Sequence, residues 1–227
     1  MSLVLNEEQS YLKDTARDFA KNKTPVSHFR GVRDSENPEC FDREIWKEMA
    51  NLGWSGILIP EEYGGSDFGV AGIGVIFEEL GRTLTPSPMF STAVVSASLI
   101  KEAGNEDHKK EYLTKIASGD ITLAFALEES NRHSPTNLET TAKKDGDSYI
   151  INGQKTFVLD GGFADFLIIA AATGKGTSLF IANKDAKGID IKVTPMVDSR
   201  NAANITFKDL KLSTSDLIGE ENGSDQI

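Results

Sequence analysis

Residues 119–127, GDITLAFAL, mark the point where the hydrophobic pattern of the sequence changes. Before them, apolar residues recur at steps of three and four, which is typical of amphipathic helices. From Thr122 to Leu127, large apolar residues occupy every second position, which is the period of a β-strand. Helices followed by strands, without βαβ alternation, predict an α+β protein with two segregated domains. We expect a helical domain over residues 1–120 and a small antiparallel β-barrel over residues 121–227.

The helical half begins with two recognisable helix starts. Asn6 and Gln9 have the spacing of a capping box. Asp42 is a predicted N-cap, and the helix that follows it ends at Gly53, a residue that suits a left-handed C-cap. The residues expected on the buried face of this second helix are Ile45, Met49 and Leu52.

Three more helices are expected before residue 120. The first has apolar residues at steps of four, three and four, namely Ile73, Phe77, Leu80 and Leu84. The next begins at Ser87-Pro88, the usual order of an N-cap and a first helical residue, and ends at Gly104. The last begins at Asn105 and ends at Gly119.

Turn signals divide the second half into short strands. Gly-containing clusters at residues 145–147, 152–153, 160–162 and 174–176 predict tight loops between antiparallel strands. Residues 166–172 form a continuous apolar run, which indicates a central strand buried on both faces.

Composition and charge exclude several classes of function. The chain has 227 residues, a formal charge of -11 and a pI near 4.8, which disfavours nucleic acid and anionic membranes as partners. One cysteine and three scattered histidines give no zinc-ligand spacing, so no metal site is predicted. The first residues resemble no signal peptide, and no run has the roughly 20 apolar residues of a membrane span. The unpaired Cys40 favours a reducing, cytoplasmic location.

Four motifs follow one another along the chain: PEEYGG at 60–65, EELGR at 78–82, IASGD at 116–120 and GDSYIINGQK at 146–155. Their order and spacing resemble the signature of acyl-CoA dehydrogenases. The resemblance covers essentially the whole chain and implies that family's N-terminal helical domain and middle β-domain. The family's third domain, a helical bundle, would begin just after Gly223. We therefore expect this chain to be a fragment of a longer protein.

The resemblance implies a reaction and its partners. In that family, FAD lies between the middle domain and the bundle, with the acyl thioester against the flavin. A glutamate of the bundle removes the α-proton while the β-hydride passes to the flavin. An acyl-CoA substrate, electron-transferring flavoprotein as acceptor and a homo- or hetero-oligomer are implied. The usual base would lie beyond Ile227, so we expect no catalytic residue here and no activity of this chain alone.

The resemblance also implies contacts with cofactor and substrate. The implied FAD contacts are Phe125, Leu127, Glu128, His133, Ser134, Phe157, Val158 and Leu159. The candidate substrate contacts are Ser96, Leu99 and Ser134, the first two on the helix from Pro88 to Gly104.

Three departures from the family pattern affect the flavin contacts. Glu128 stands where the family usually has Thr, and Leu159 where it has Thr or Ser. Residues 131–134, NRHS, replace a Gly-rich turn. Because each lost hydrogen bond costs about 1–3 kcal/mol, FAD is expected to bind this chain weakly or not at all.

Other interpretations remain open from the sequence. One is a non-catalytic scaffold subunit of a heteromeric acyl-CoA dehydrogenase, and another is a flavin monooxygenase on the same scaffold. The segment from Glu79 to Pro88 resembles bacterial members that act on bulky acyl-CoAs such as steroid side chains, so fatty acid catabolism and steroid side-chain catabolism both stay open. Phe157 and Leu159 also have the alternation of ordinary core residues, and Glu128-Glu129 is typical of a solvated strand end.

Overall fold

A computed structural model describes residues 4–35, 37–135, 137–174, 176–198 and 200–223. The α-helices are α1 Glu7–Asn22, α2 Val26–Asp34, α3 Arg43–Asn51, α4 Val70–Arg82, α5 Ala97–Ala103, α6 Glu106–His108 and α7 Thr114–Ala117. Two π-helical segments, Met89–Ser96 and Lys109–Leu113, run directly into α5 and α7. The strands are β1 Leu123–Ala126, β2 Thr141–Asp145, β3 Ser148–Leu159, β4 Phe166–Thr173, β5 Gly176–Asn183, β6 Ile189–Pro195, β7 Asn201–Ser213 and β8 Leu217–Ile218. The predicted order of helices followed by strands is confirmed.

The predicted helix starts are present. The Asn6 side chain accepts from the Gln9 N–H at 2.7 Å, and the Asn6 N–H donates to Gln9 Oε1 at 3.1 Å, which completes the capping box. Asp42 caps α3 by accepting from the Glu44 N–H at 2.8 Å. Gly53 has a φ of +80°, as expected of a left-handed cap.

In two predicted helices, the last residue assigned to the buried face is exposed instead. Leu52 follows the last residue of α3 and is 45% exposed, while Trp46 and Ala50 join the buried face. Leu84 lies beyond the end of α4 with a φ of +58°, and its side chain is exposed. Both residues come after the helix has ended, so the helical period no longer sets the direction of their side chains. The helix α2 was not predicted, and none of its residues is buried.

The predicted antiparallel barrel is instead an open, mixed sheet. Its strand order is β6-β7-β3-β2-β4-β5-β8, with β1 paired to β4. The β1–β4 pairing is parallel, from Leu123↔Phe166 to Ala126↔Ile169, and β2 meets β4 in parallel at Thr141↔Ala172. No hairpin joins β4 to either of these strands, so the connections do not force an antiparallel pairing. As a result, β1 and β2 lie along the same edge of β4, and the chain between them projects from that edge.

The turn predicted at Asn152-Gly153 is a β-bulge within β3. The register with β7 shifts between Ile151 and Gly153, and Gly153 has a φ of +147°. A Cβ on Gly153 would lie 2.6 Å from Thr140 Cα, so glycine permits Thr140 to approach the strand. The predicted hairpin at 145–147 is confirmed by the pairing of Asp145 with Ser148. Lys175 of the turn at 174–176 lies outside the described residues.

The central strand β4 is buried on both faces, as predicted. Leu167, Ile169 and Ala171 enter the core of the sheet. The residues between them, Ile168 and Ala170, pack with the helices in a second cluster that includes Ile100, Leu113 and Ile116. This alternation joins the two halves of the molecule through one strand. Within the described residues, no helix is long and apolar enough to cross a membrane.

Candidate functional site

The chain that follows β1 is held against β3 by main-chain and side-chain contacts. The Thr156 N–H donates to the Glu128 carbonyl at 2.7 Å. The Lys155 ammonium donates to the Leu127 carbonyl at 2.9 Å. Two of the predicted flavin contacts, Leu127 and Glu128, therefore lie directly beside β3. That strand carries three further predicted contacts, Phe157, Val158 and Leu159.

A buried ion pair lies beneath this strand end. Lys155 Nζ is 2.7 Å from Glu129 Oε1, and the lysine side chain has no exposed surface. Burial lowers the pKa of Lys155, while the bond to Glu129 opposes that shift. For Glu129, burial raises the pKa, but bonds from Lys155 and from the amides of Glu139 and Thr140 outweigh it, so the pKa is lowered. Glu129 is therefore not the solvated strand end that the sequence suggested.

Glu128 points away from this pair and binds the loop that follows. His133 Nδ1 lies 2.5 Å from Glu128 Oε1, and the Ser134 N–H donates to Glu128 Oε2 at 3.4 Å. Nδ1 is therefore the imidazole nitrogen that faces Glu128. The His133 side chain is 75% exposed. The structure thus brings together three predicted contacts: Glu128, His133 and Ser134.

Phe157 is turned outward by a second bulge in β3. The register with β7 shifts between Lys155 and Val158, and Phe157 has a φ of +52°. Its N–H donates to Asn204 Oδ1 at 3.2 Å, and the residue is 63% exposed. Val158 lies in the sheet core, so only its main chain can face a ligand, and Leu159 is half-buried. The simple alternation that made Phe157 a core candidate is broken by the bulge.

The remaining predicted contacts lie in the packing between helices and sheet. Phe125 pairs with Ile168 across β1 and β4 and packs, partly buried, on the second cluster. Leu99 is partly buried against the same cluster. Ser96 is fully buried, and its hydroxyl donates to the Ser91 carbonyl at 2.7 Å within the π-helical segment. The Ser96 hydroxyl is thus bonded within its own helix.

Sequence reasoning missed two charged pairs next to the site. One is Lys155 with Glu129: Lys155 stood in the motif at 146–155 without an assigned role, and Glu129 was expected at a solvated strand end. The other is Asp160 with Arg200, which follows β3 directly; Ser91 also donates to Asp160, at 2.6 Å. Burial raises the pKa of Asp160, while Arg200 and Ser91 oppose that shift. A lysine or aspartate in a strand-and-turn pattern is normally exposed, so the sequence held no signal for their burial.

A small polar cavity of about 270 Å³ opens beside the strand end. It is lined by Glu129, Ser130, Asn131, Gln154, Lys155, Thr156, Asn204, Ile205 and Thr206. Most of these side chains carry neutral amides or hydroxyls, so the cavity is suited to hydrogen bonding rather than to apolar packing. Among the described residues, no cluster of histidine, cysteine and carboxylate side chains is arranged to hold a metal ion.

The residues on this face fit a FAD site only in part. The exposed Phe157 ring provides a flat apolar surface on which an aromatic ring system can stack. Neither Glu128 nor Leu159 supplies a hydroxyl donor, and the Glu128 carboxylate already accepts from His133. These residues therefore do not form a complete set of donors for the flavin.

Comparison with known families identifies the two halves. A family model for the N-terminal domain of acyl-CoA dehydrogenases matches residues 6–120, and the model for the middle domain matches residues 124–210. The short-chain-specific acyl-CoA dehydrogenase of Clostridium acetobutylicum is 33% identical over 233 residues, covering 97% of this chain and 60% of that protein. The chain thus spans about 60% of the length of this curated relative.

Solved structures show the same fold. The ChsE4-ChsE5 complex from Mycobacterium tuberculosis matches with a TM-score of 0.85 and 27% identity, over 99% of this chain and 59% of that one. A glutaryl-CoA dehydrogenase from Mycobacterium smegmatis in complex with FADH2 matches with a TM-score of 0.86 and 25% identity, over 97% of this chain and 57% of that one.

Proposed function

Since this chain belongs to the acyl-CoA dehydrogenase family, we propose that the protein containing it oxidises an acyl-CoA thioester between its α- and β-carbons, with FAD as cofactor. The observation that carries the proposal is the exposed Phe157 ring, held outward by a bulge beside the Leu127–Glu128 strand end. An exposed aromatic ring near the end of a strand offers a flat apolar surface on which a planar ligand can stack. The solved relative with FADH2 supports the same cofactor.

The residues of this chain would form one wall of the site. We assign binding rather than chemistry to them, with the base supplied by a part of the protein beyond residue 227. Ser96, Leu99 and Ser134 stay candidates for the acyl-CoA side. The proposal includes electron-transferring flavoprotein as the acceptor, a homo- or hetero-oligomer and a cytoplasmic location.

The test is made on the longest natural protein that contains this chain. It is purified without added flavin, and its visible absorption is recorded before and after addition of a series of acyl-CoA thioesters. Bleaching of a bound flavin by one of these substrates supports the proposal. A yellow protein that no acyl-CoA bleaches contradicts the proposed reaction.

A second candidate function is a non-catalytic subunit of a heteromeric acyl-CoA dehydrogenase. Glu128 and Leu159 favour it, because they remove donors from the flavin wall, and similarity to the ChsE4-ChsE5 complex is consistent with it. A colourless protein that becomes active only with a separate partner subunit would favour this candidate. No contact among the described residues favours the flavin monooxygenase, and acyl-CoA-dependent oxygen consumption in the same assay would detect it.

A further inference from the structure

The buried pair of Lys155 and Glu129 has no part in the proposed reaction. The Lys155 side chain is fully buried, and that of Glu129 is 11% exposed. Removing two charges from water is costly, so a buried ion pair is often no more stabilising than apolar side chains of the same size. A pair retained in this position therefore calls for an explanation other than stability.

The contacts of the pair show what it holds. Lys155 joins the Leu127 carbonyl to Glu129 at distances of 2.9 and 2.7 Å. The same oxygen of Glu129, Oε1, also accepts from the Thr140 main-chain N–H at 3.0 Å, and the other oxygen, Oε2, accepts from the Glu139 N–H at 2.5 Å. The pair thus binds both ends of the 130–138 loop, in which residue 136 is not described, and anchors them to β3.

Thr140 is attached to β3 a second time. Its hydroxyl donates to the Gln154 carbonyl at 3.1 Å, and its Cα approaches the backbone at Gly153. The carboxyl-terminal end of the loop is therefore held both by Glu129 and by the β3 backbone. In this arrangement, with both ends held, His133 and Ser134 lie within reach of Glu128.

We propose that Lys155 and Glu129 are positioning residues that set the place of the Glu128 main chain and of the His133–Ser134 segment relative to Phe157. They act through the Leu127 carbonyl and the amides of Glu139 and Thr140, not through contact with a ligand. That these positioned groups face a cofactor or acyl-CoA rests on the proposed function. The positioning itself does not, and it is testable without either molecule.

The experiment compares the 227-residue chain with a Lys155→Met, Glu129→Gln double variant, which leaves no unpaired buried charge. The matched control is Asp160→Asn with Arg200→Met, which removes a buried pair that does not contact the loop. Trypsin cleavage after the exposed Arg132 reports on the loop, and cleavage after the exposed Lys187 is the internal reference. Hydrogen exchange is followed at the amides of Glu139, Thr140 and Thr156.

We expect cleavage after Arg132 and exchange at Glu139 and Thr140 to become about tenfold faster in the double variant, below its melting transition. The control should stay within about twofold of the parent chain at these sites. The side-chain ¹⁵N signals of His133 should show loss of its bond to Glu128 in the double variant only. Unchanged cleavage and exchange in a folded double variant would overturn the proposal.

A second variant covers the case in which the double variant does not fold. Glu129→Gln alone leaves Lys155 without a carboxylate and so costs stability, but its amide oxygen can still accept from the ammonium, which also keeps its bond to the Leu127 carbonyl. Measured below its melting transition, it should show faster exchange at Glu139 or Thr140. Exchange unchanged at both amides would overturn the proposal. Neither variant uses flavin, so failure here leaves the proposed function standing, and a flavin-free parent protein leaves this result standing.

Discussion

The guanidinium of Arg200 binds the buried carboxylate of Asp160 where β3 ends, and Ser91 donates to the same carboxylate from the helical half. The pair therefore links the sheet to the π-helical segment before α5. Burial raises the pKa of Asp160 above its ordinary 3.8, so folding makes this carboxyl harder to ionise. Stability consequently falls as pH rises through that raised pKa, and Arg200 limits the fall.

Arg200→Met should destabilise the chain by about 3 kcal/mol at pH 7, because it leaves a buried carboxylate without its cation. The loss should be smaller near pH 4, where Asp160 is protonated in more of the folded molecules. Urea unfolding at both pH values measures it. Arg33→Met, which breaks an exposed pair with Asp34, is the control and should have no measurable effect. Equal losses at the two pH values would contradict this account.

Glu129 should contribute to the free energy of unfolding at neutral pH and lose that contribution in acid. Although burial raises its pKa, bonds from Lys155 and two amides lower it below the ordinary 4.5. The stability from this group is present above about pH 4.5 and is lost as pH falls through the lowered folded-state pKa. Glu129→Gln should therefore unfold with a weaker dependence on pH between 5 and about 3. Chemical unfolding of both chains across that range checks it, and parallel curves would count against the assigned bonds.

Gly153→Ala should destabilise the chain by about 2 kcal/mol or more, because a Cβ would press on Thr140 and the backbone has a φ of +147°. Gly74→Ala is the matched control: Gly74 lies exposed within α4, and a Cβ there meets no atom within 4 Å. That change should stabilise the chain by about 0.5–1 kcal/mol. Thermal melts of the two variants should move in opposite directions, and a shift of both in one direction would refute the reading of Gly153.

The bulge at Gly153 is an example of a local sequence signal that predicted the wrong structure. Asn152-Gly153 is a strong turn signal, but here the glycine serves a close approach between Thr140 and β3. Period-two alternation revealed β1 and a continuous apolar run revealed β4, yet neither pattern says which strands pair or in which direction, so the parallel β1–β4 pairing was not predictable. Caps were predictable at Asn6 and Asp42 because they depend only on neighbouring residues.

Part of the candidate site was predictable as well, because local sequence motifs identify some of its residues. Family motifs pointed to Leu127, Glu128 and Phe157, and the structure places these residues on adjoining stretches of chain. The role of Lys155 was not predictable, since its burial depends on Glu129 and on amides of a loop 15 residues earlier in the chain. Long-range contacts of that kind leave no local pattern.

Cys40 should react slowly with thiol reagents. Burial, reinforced by the Asp160 and Asp198 carboxylates, raises the pKa of its thiol above 9.0, while Asn201 opposes the shift. The thiolate is the reactive form, so at pH 8 the folded chain should react more slowly than the chain in urea. A Ser66→Cys chain that also carries Cys40→Ser provides an exposed reference thiol and should react faster than Cys40. Equal rates for the two folded chains would contradict the prediction.

The last prediction concerns the hydroxyl donors that Glu128 and Leu159 do not supply to a flavin. This chain should not quench FAD fluorescence stoichiometrically at micromolar concentrations, because Glu128 and Leu159 offer no hydroxyl and Glu128 adds a negative charge. A Glu128→Thr, Leu159→Thr double variant supplies two hydroxyls and removes that charge. Each hydrogen bond gained contributes about 1 kcal/mol, so the affinity for FAD should rise about tenfold or more. Asp190→Thr removes an equal charge from the exposed edge strand β6 and should leave the affinity unchanged. Fluorescence titration of the three chains separates the effect of the two substituted positions from that of the net charge, and an unaltered affinity in the double variant would show that these two positions do not limit binding.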